Sequence, residues 1–201
     1  MPQIVIIAGP NGAGKTTASK KVLGMHLGIG QFVNADIIAS GLAGFDPTSA
    51  AIEAGGIMLE RLYRLADEHA DFAFETTLAS RTLRPWLAKL VADAGYSVAL
   101  YYFWLPSADL SVERVATRVR RGGHHVPEET VRRRYDRGLR NFFSLYRPIA
   151  TRWRFVDSSH PGGTRTIAEG RGTGQIIVRD EPIWSKIRAA YDETHEERRG
   201  N

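Results

Sequence analysis

The chain has 201 residues, 43% hydrophobic and 24% charged, the proportions of a soluble globular protein long enough for one substantial core. It contains no cysteine, which excludes disulfides and thiolate metal sites, and no apolar stretch approaches the ~18–20 residues that cross a bilayer. The formal net charge is +5, only 5 of the 27 basic residues are lysines, and ten arginines fall between Arg114 and Arg147, a concentration that suits phosphate, nucleic acid or a solvated helix.

"QIVIIA" (3–8) is short, apolar and β-branched, and predicts a buried strand. It runs straight into a glycine loop with no signal-peptide layout, so the expected compartment is the cytoplasm. A helix is expected from Lys15 to about Leu23, ended by Gly24, and "QFVNAD" (31–36) reads as a second, shorter strand. "FDPTSA" (45–50) signals a turn and a helix start. Ala51, Ala54, Met58, Leu62 and Leu65 then recur at helical spacing.

"DFAFETT" (71–77) predicts a third strand with a polar end, followed by a helix striped with Leu83, Leu87, Leu90, Val91 and Ala94. "SVALYYFWLP" (97–106) suits a central parallel strand buried on both faces. A helix from about Asp109 to Arg120, the loop "RGGHHVPEE" (121–129) and a helix with Pro127 near its first turn come next. "RWRFVDSS" (152–159) is a fifth strand, 162–180 a small hairpin, Ile183 to Tyr191 a closing helix, and 195–201 a frayed tail. There are no repeats and no linker, so residues 1–201 read as one domain.

Strand and helix alternate throughout, which argues for a parallel sheet covered by helices on both faces. Ligands in such folds sit beyond the carboxyl ends of the strands. Gly9-Pro10-Asn11-Gly12-Ala13-Gly14-Lys15-Thr16 fits the phosphate loop G-x-x-x-x-G-K-[ST], with a strand before it and a helix after it, and Thr17 extends the binding segment. Inward backbone N–H groups and the helix N-terminus suit a nucleotide triphosphate. Lys15 should reach its β- and γ-phosphates, and the Thr16 hydroxyl should hold Mg²⁺. The expected fold is therefore a P-loop NTPase: a three-layer α/β/α with a central, mostly parallel five-stranded sheet, a helical lid over about 118–135 and a small C-terminal hairpin.

Asp36 closes the second strand, 21 residues after Lys15, and suits either a general base for an attacking hydroxyl or an N-cap for the helix starting at Ile37. Glu75 and Thr77 close the third strand. Glu75 suits ordering of Mg²⁺ through water or accepting a bond from a substrate hydroxyl, and Thr76 and Thr77 suit either job or a cap near Ser80. In the helix after Pro127, Val131, Tyr135, Leu139, Phe142 and Tyr146 form one face. At 100° per residue Arg133, Arg137, Arg140 and Arg147 lie opposite it and read as solvated, while Arg132 and Arg134 flank it. Arg118 and Arg121 border the glycine turn, where Gly122 and Gly123 suit a closing lid whose arginines neutralise transferred phosphate. His124 and His125 lack a third ligand and suit hydrogen bonding better than metal. Asp157 with its following serines suits the adenine side of a pocket or an ordinary turn.

In order along the chain, "GPNGAGKTT", "VNADIIA", "FETTLA" and "RVRRGGHHVPEETVRRRY" resemble the zeta-toxin-like P-loop kinases, from about Ile4 to Ser159. The resemblance implies a kinase that uses ATP and Mg²⁺ to phosphorylate a hydroxyl. In zeta toxins that hydroxyl belongs to UDP-N-acetylglucosamine, and a small antitoxin is the partner. On the same resemblance Asp36 is the general base and Glu75 and Thr77 contact substrate. Two lid arginines thirteen apart match Arg121 and Arg134, or Arg120 and Arg133, and the helical angles favour the first pair. "FETT" stands where the toxins carry Glu-Gly-Thr, which leaves a nucleoside, antibiotic or polynucleotide hydroxyl as alternative acceptors. A nucleotide-dependent switch is a further alternative. Few aromatics alternate with the arginines, which disfavours nucleic acid. No LSGGQ-like segment supports a transporter ATPase.

Overall fold

The run Ile4-Val5-Ile6-Ile7 has no polar side chain to send to water, and every one of the four is buried. It forms the centre of β1 (Gln3–Ala8), between the parallel neighbours β3 (Phe72–Thr76) and β4 (Ser97–Trp104). The computed structural model describes residues 1–26, 28–43, 50–123, 125–160 and 163–196. The turn expected at 45–50 falls almost wholly outside these residues, as does His124.

The sheet continues from β3 to β2 (Gln31–Val33), and from β4 to β5 (Arg152–Asp157), all parallel. β6 (Arg165–Gly170) and β7 (Ile176–Val178) then pair antiparallel onto β5, giving the order β2-β3-β1-β4-β5-β6-β7. The expected hairpin exists, but it extends the main sheet from five strands to seven. Its pairing to β5 is set by tertiary contacts: Ile167 and Ala168 bury fully on the face of Phe155 and Trp153.

Helices cover both faces. α1 (Lys15–Gly24) lies over the face carrying Val5, Ile7 and Phe103. α3 (Ala51–Asp67), α4 (Leu83–Asp93) and α6 (Glu128–Asn141) pack Leu62, Leu87 and Leu139 against Ile4, Ile6 and Phe74 on the other. α5 (Ala108–Arg120) pairs with α6 through Val115 and Val131. The apolar stripe expected to run to Tyr146 does so, but α6 ends at Asn141 and a π turn (Phe142–Tyr146) carries the rest inward. α7 (Glu181–Glu196) starts two residues before its expected position and runs past it. It seats Trp184 on Trp153, with ring centroids 5.7 Å apart. Among the described residues no helix is long and apolar enough to cross a membrane.

The largest departure is at the second strand. It stops at Val33, and residues expected to finish it start α2 (Ala35–Ala43). Asn34 causes the switch: its Oδ1 accepts from the backbone N–H of Asp36 at 2.8 Å and of Ile37 at 3.3 Å, satisfying two orphan donors of the new helix. Asn34, and not Asp36, is therefore the cap. Asp36 stands in the first helical turn, where a carboxylate also complements the helix dipole.

Candidate active site

The phosphate loop turns between β1 and α1 and is braced from beneath. Ser111 Oγ on α5 donates to the Asn11 carbonyl, and Ser158 Oγ after β5 donates to the Ala13 carbonyl. At Gly12 φ is +78, and a β-carbon would press on the Arg114 side chain and the Ser111 carbonyl. Only glycine fits both the conformation and the space. Arg114 in turn donates to the Ser158 and Ser159 carbonyls at 2.8 and 2.6 Å, tying the loop's support to the end of β5.

Lys15 is buried at 7% exposure, with Nζ donating to the Pro10 carbonyl at 2.9 Å and lying 3.6 Å from Glu75 Oε1. Burial pushes its pKa down, Arg118 adds to that, and the Glu75 and Asp36 carboxylates oppose it. Glu75 is a hub. Its Oε2 accepts from Thr16 Oγ1 and from Asn34 Nδ2, each at 2.8 Å. The register explains why it reaches: Ile7 pairs with Glu75 and Ala8 with Thr76, so the end of β3 stands level with the start of the loop. Asn34 thus uses one side-chain end to cap α2, beside Asp36, and the other to hold Glu75.

These residues sit where two lobes of one cleft meet. A lobe of about 590 Å³ is lined by the phosphate loop, Thr17, Arg114, Arg118, Arg121, Gly122 and Gly123. A lobe of about 520 Å³ is lined by α2, α3, the segment 76–80 and the α6 arginines Arg133, Arg134 and Arg137. Asn11, Lys15, Asp36 and Glu75 line both. Asn11, Gly12, Gly14, Lys15, Thr16, Thr17, Asp36, Glu75, Thr77, Arg121 and Arg134 line this cleft, while Gly9, Pro10 and Ala13 line neither lobe. Of the thirteen-residue pairs, Arg121 faces the first lobe and Arg134 the second. Arg120 instead bonds Thr117 Oγ1 and borders a separate cavity between α5 and α6, together with His125.

Arg134 is partly buried, and desolvation lowers its pKa against the opposing pull of Asp36. Arg132 is turned away and pairs with Asp109 at 2.6 Å and Glu128 at 2.8 Å. The solvated reading holds for Arg133, Arg137 and Arg140, all exposed, although the first two also edge the second lobe, and it fails for Arg147, which lies over the rings of Phe143 and Trp153. The Thr76 and Thr77 hydroxyls accept from the N–H groups of Leu78 and Ala79, shaping a turn, and α4 begins beyond them at Leu83. Asp157 is the ordinary turn: it accepts from Ser159 N at 2.8 Å and faces His160, and it lines neither lobe.

Sequence reasoning missed Asn34, Arg114 and Ser111, and it placed the serines after Asp157 on an adenine side or in a turn, whereas Ser158 braces the phosphate loop. For Asn34 a signal existed, since an asparagine two residues before a helical carboxylate is a common cap. The others act across a hundred residues or more, or from a helix face to a distant loop, and leave no local trace.

Among the described residues no group of three or more His, Asp or Glu is arranged to hold a metal. Mg²⁺ does not need one, because it keeps several waters and takes phosphate oxygens with one or two protein ligands. Thr16 Oγ1 and the Glu75 carboxylate, 2.8 Å apart, are hard oxygen donors of the right kind.

A family model described as an AAA domain matches residues 4–142. An uncharacterized protein of Haemophilus influenzae is 27% identical over 131 residues, 65% of this chain and 91% of that one. Among solved structures, the complex AvrRxo1-ORF1:-ORF2 with ATP has a TM-score of 0.74 at 20% identity, over 93% of this chain. The chain spans 63% of that protein's length. The PezAT chromosomal toxin–antitoxin system of Streptococcus pneumoniae has a TM-score of 0.61 at 15% identity, covering 98% of this chain and 87% of that one. A putative kinase from Chloroflexus aurantiacus has a TM-score of 0.60 at 18% identity, covering 80% and 90%.

Proposed function

Since the chain belongs to the AAA domain family, whose model spans residues 4–142, we propose that it is an ATP-dependent kinase transferring the γ-phosphoryl group to a hydroxyl of a small molecule, all within one domain. The observation that carries this reading is the two-lobed cleft, with Lys15, Asp36 and Glu75 at the junction. A switch or motor needs only the nucleotide lobe. A kinase needs a second lobe for its acceptor, reached past a carboxylate.

In this reading the segment Gly9 to Thr17 grips the triphosphate with its backbone N–H groups and the N-terminus of α1. Thr16, with Glu75 behind it through water, would hold Mg²⁺, which would supply neutralisation of the phosphate charge. Lys15 moves its ammonium from the Pro10 carbonyl and Glu75 toward phosphate oxygens. Asp36 accepts the proton of the acceptor hydroxyl, whose oxygen then bonds to the γ-phosphorus as the bond to the β-phosphate oxygen breaks. Arg121 and Arg134, one on each lobe, oppose the charge on the equatorial oxygens. Glu75 and Thr77 orient the acceptor.

The family resemblance and the toxin–antitoxin neighbour together support a zeta-toxin-like kinase, with UDP-N-acetylglucosamine as a candidate acceptor and a small antitoxin as a candidate partner. Incubation of the protein with γ-labelled ATP, Mg²⁺ and a metabolite extract tests the kinase reading: label should appear on a new small molecule. Asp36→Ala should cut that transfer by at least about a thousandfold, the upper range for loss of a general base with its electrostatic support, while leaving ATP affinity within about twofold. Release of inorganic phosphate alone, with no labelled acceptor, would sink the kinase assignment.

A further inference from the structure

We propose that the Asn11 side chain, beyond the backbone grip of its loop, is a catalytic residue: its amide N–H donates to the phosphoryl group as that group passes between the lobes. The proposal rests on the kinase reading above and adds a group to it. The phosphate-loop pattern leaves this position open, asking only for a backbone there. Yet Asn11 lines both lobes, together with Lys15, Asp36 and Glu75. Those three carry charge, and Asn11 is the neutral member of the junction.

Asn11 is 7% exposed, and its amide forms no hydrogen bond, at either end, with the described residues. Oδ1 is fully enclosed, which leaves Nδ2 as the end open to the cleft. The backbone explains why the residue stays there. Its carbonyl accepts from Ser111 Oγ, Pro10 before it has a fixed φ, and Gly12 after it turns the chain at a φ of +78. A buried amide without partners lowers the stability of the folded chain, and an alanine would spare the fold that penalty. Folding therefore gives no reason for asparagine at this position. A rule of packing broken at the meeting point of two lobes points to a ligand.

Position identifies that ligand. Lys15 Nζ donates to the Pro10 carbonyl at 2.9 Å, so the ammonium that reaches for phosphate starts beside Asn11. Asp36, which takes the hydroxyl proton, lines the same junction. A group moving from the first lobe to the second passes between these residues. Its equatorial oxygens accept hydrogen bonds and donate none, so they match Nδ2–H and not Oδ1. No proton moves to or from Asn11: the γ-phosphorus exchanges its bridging oxygen for the acceptor oxygen, and the hydroxyl proton goes to Asp36. A neutral donor already aimed where charge develops lowers the barrier and leaves ground-state binding nearly unchanged.

The test follows the side-chain amide signals of the whole chain by NMR, using isotope-labelled asparagine, and Asn11→Ser identifies the Asn11 pair by its loss. The separate arms add, each with Mg²⁺, ADP, a non-hydrolysable ATP analogue, and ADP with aluminium fluoride as a mimic of the phosphoryl group in transit. The Asn11 pair should shift with the analogue, further with the fluoride complex, and little with ADP. Asn141, bonded to the Leu78 carbonyl at 2.7 Å, is the internal reference and should stay in place. Asn11→Ala should lower kcat for label transfer at least about tenfold, keep the KM for ATP within about threefold and raise the urea midpoint. Asn11→Asp should lower kcat further, because a carboxylate there repels phosphate. Equal shifts in all arms, or none, overturn the proposal. So does a wild-type kcat in Asn11→Ala, or a urea midpoint that falls along with kcat. If the wild type transfers no label, the kinase reading fails by itself, and the shift that depends on the γ-phosphate still decides whether Asn11 meets that group.

Discussion

At the scale of single residues, two buried polar side chains each serve more than one partner. Asn34 is 5% exposed; its carbonyl oxygen starts a helix and its amide hydrogens restrain Glu75. His26, also 5% exposed, places Nδ1 2.7 Å from Gln3 Oε1 and 3.0 Å from Arg152 Nη2, and Nε2 2.8 Å from the Tyr101 hydroxyl. Burial, and then the Arg152 guanidinium, hold the His26 pKa below its ordinary 6.5. Above that pH the ring is neutral in the folded and the unfolded chain. Below it the unfolded chain takes up a proton that the folded chain resists, so stability falls as pH drops toward the folded value. Urea midpoints measured between pH 7.5 and 5.5 should therefore fall more steeply for wild type than for His26→Gln. Parallel slopes in the two proteins would show that His26 titrates freely.

At the scale of elements, α6 is bolted to the end of β3. A β-carbon at Gly138 would run into the Thr77 carbonyl oxygen, Asn141 bonds the Leu78 carbonyl, and the Tyr146 hydroxyl donates to the Ser80 carbonyl at 2.7 Å. Burial raises the Tyr146 pKa to about 12, so it remains a donor across the physiological range. Leu78, between these anchors, holds a positive φ of 56. Gly138→Ala should destabilise the fold by about 1–3 kcal/mol, because the obstacle is backbone and not a side chain that can swing away. Chemical denaturation measures this, and a loss below about 0.5 kcal/mol would show that α6 has room to shift.

The same element shows what was readable beforehand. The apolar face of α6 and its continuation to Tyr146 follow from spacing alone. Which arginines meet the cleft does not, because angles measured from the buried stripe ignore a lobe that curls around the helix to Arg133 and Arg137. The phosphate loop was legible because its chemistry is written in eight consecutive residues. The end of β2 was not, because Asn34 decides between strand and helix with help from Glu75, 41 residues away.

At the scale of the whole molecule, alternation of strand and helix identified the layers, while the pairing of the last hairpin onto β5 depended on contacts with no local signature. Trp184 of α7 closes that end of the core, 2% exposed among Trp153, Phe143 and Phe155. Trp184→Ala should cost about 3–5 kcal/mol by denaturation while nucleotide affinity in the folded protein stays as in wild type, since the phosphate loop leans on β1, α5 and β5 instead. A cost under about 1 kcal/mol would mean that α7 merely lies on the surface.

The bolting of α6 also bears on Arg134, which stands about one turn from Gly138. The wall of the second lobe that carries it is therefore in place once the chain has folded, and whatever enters that lobe meets a surface already shaped.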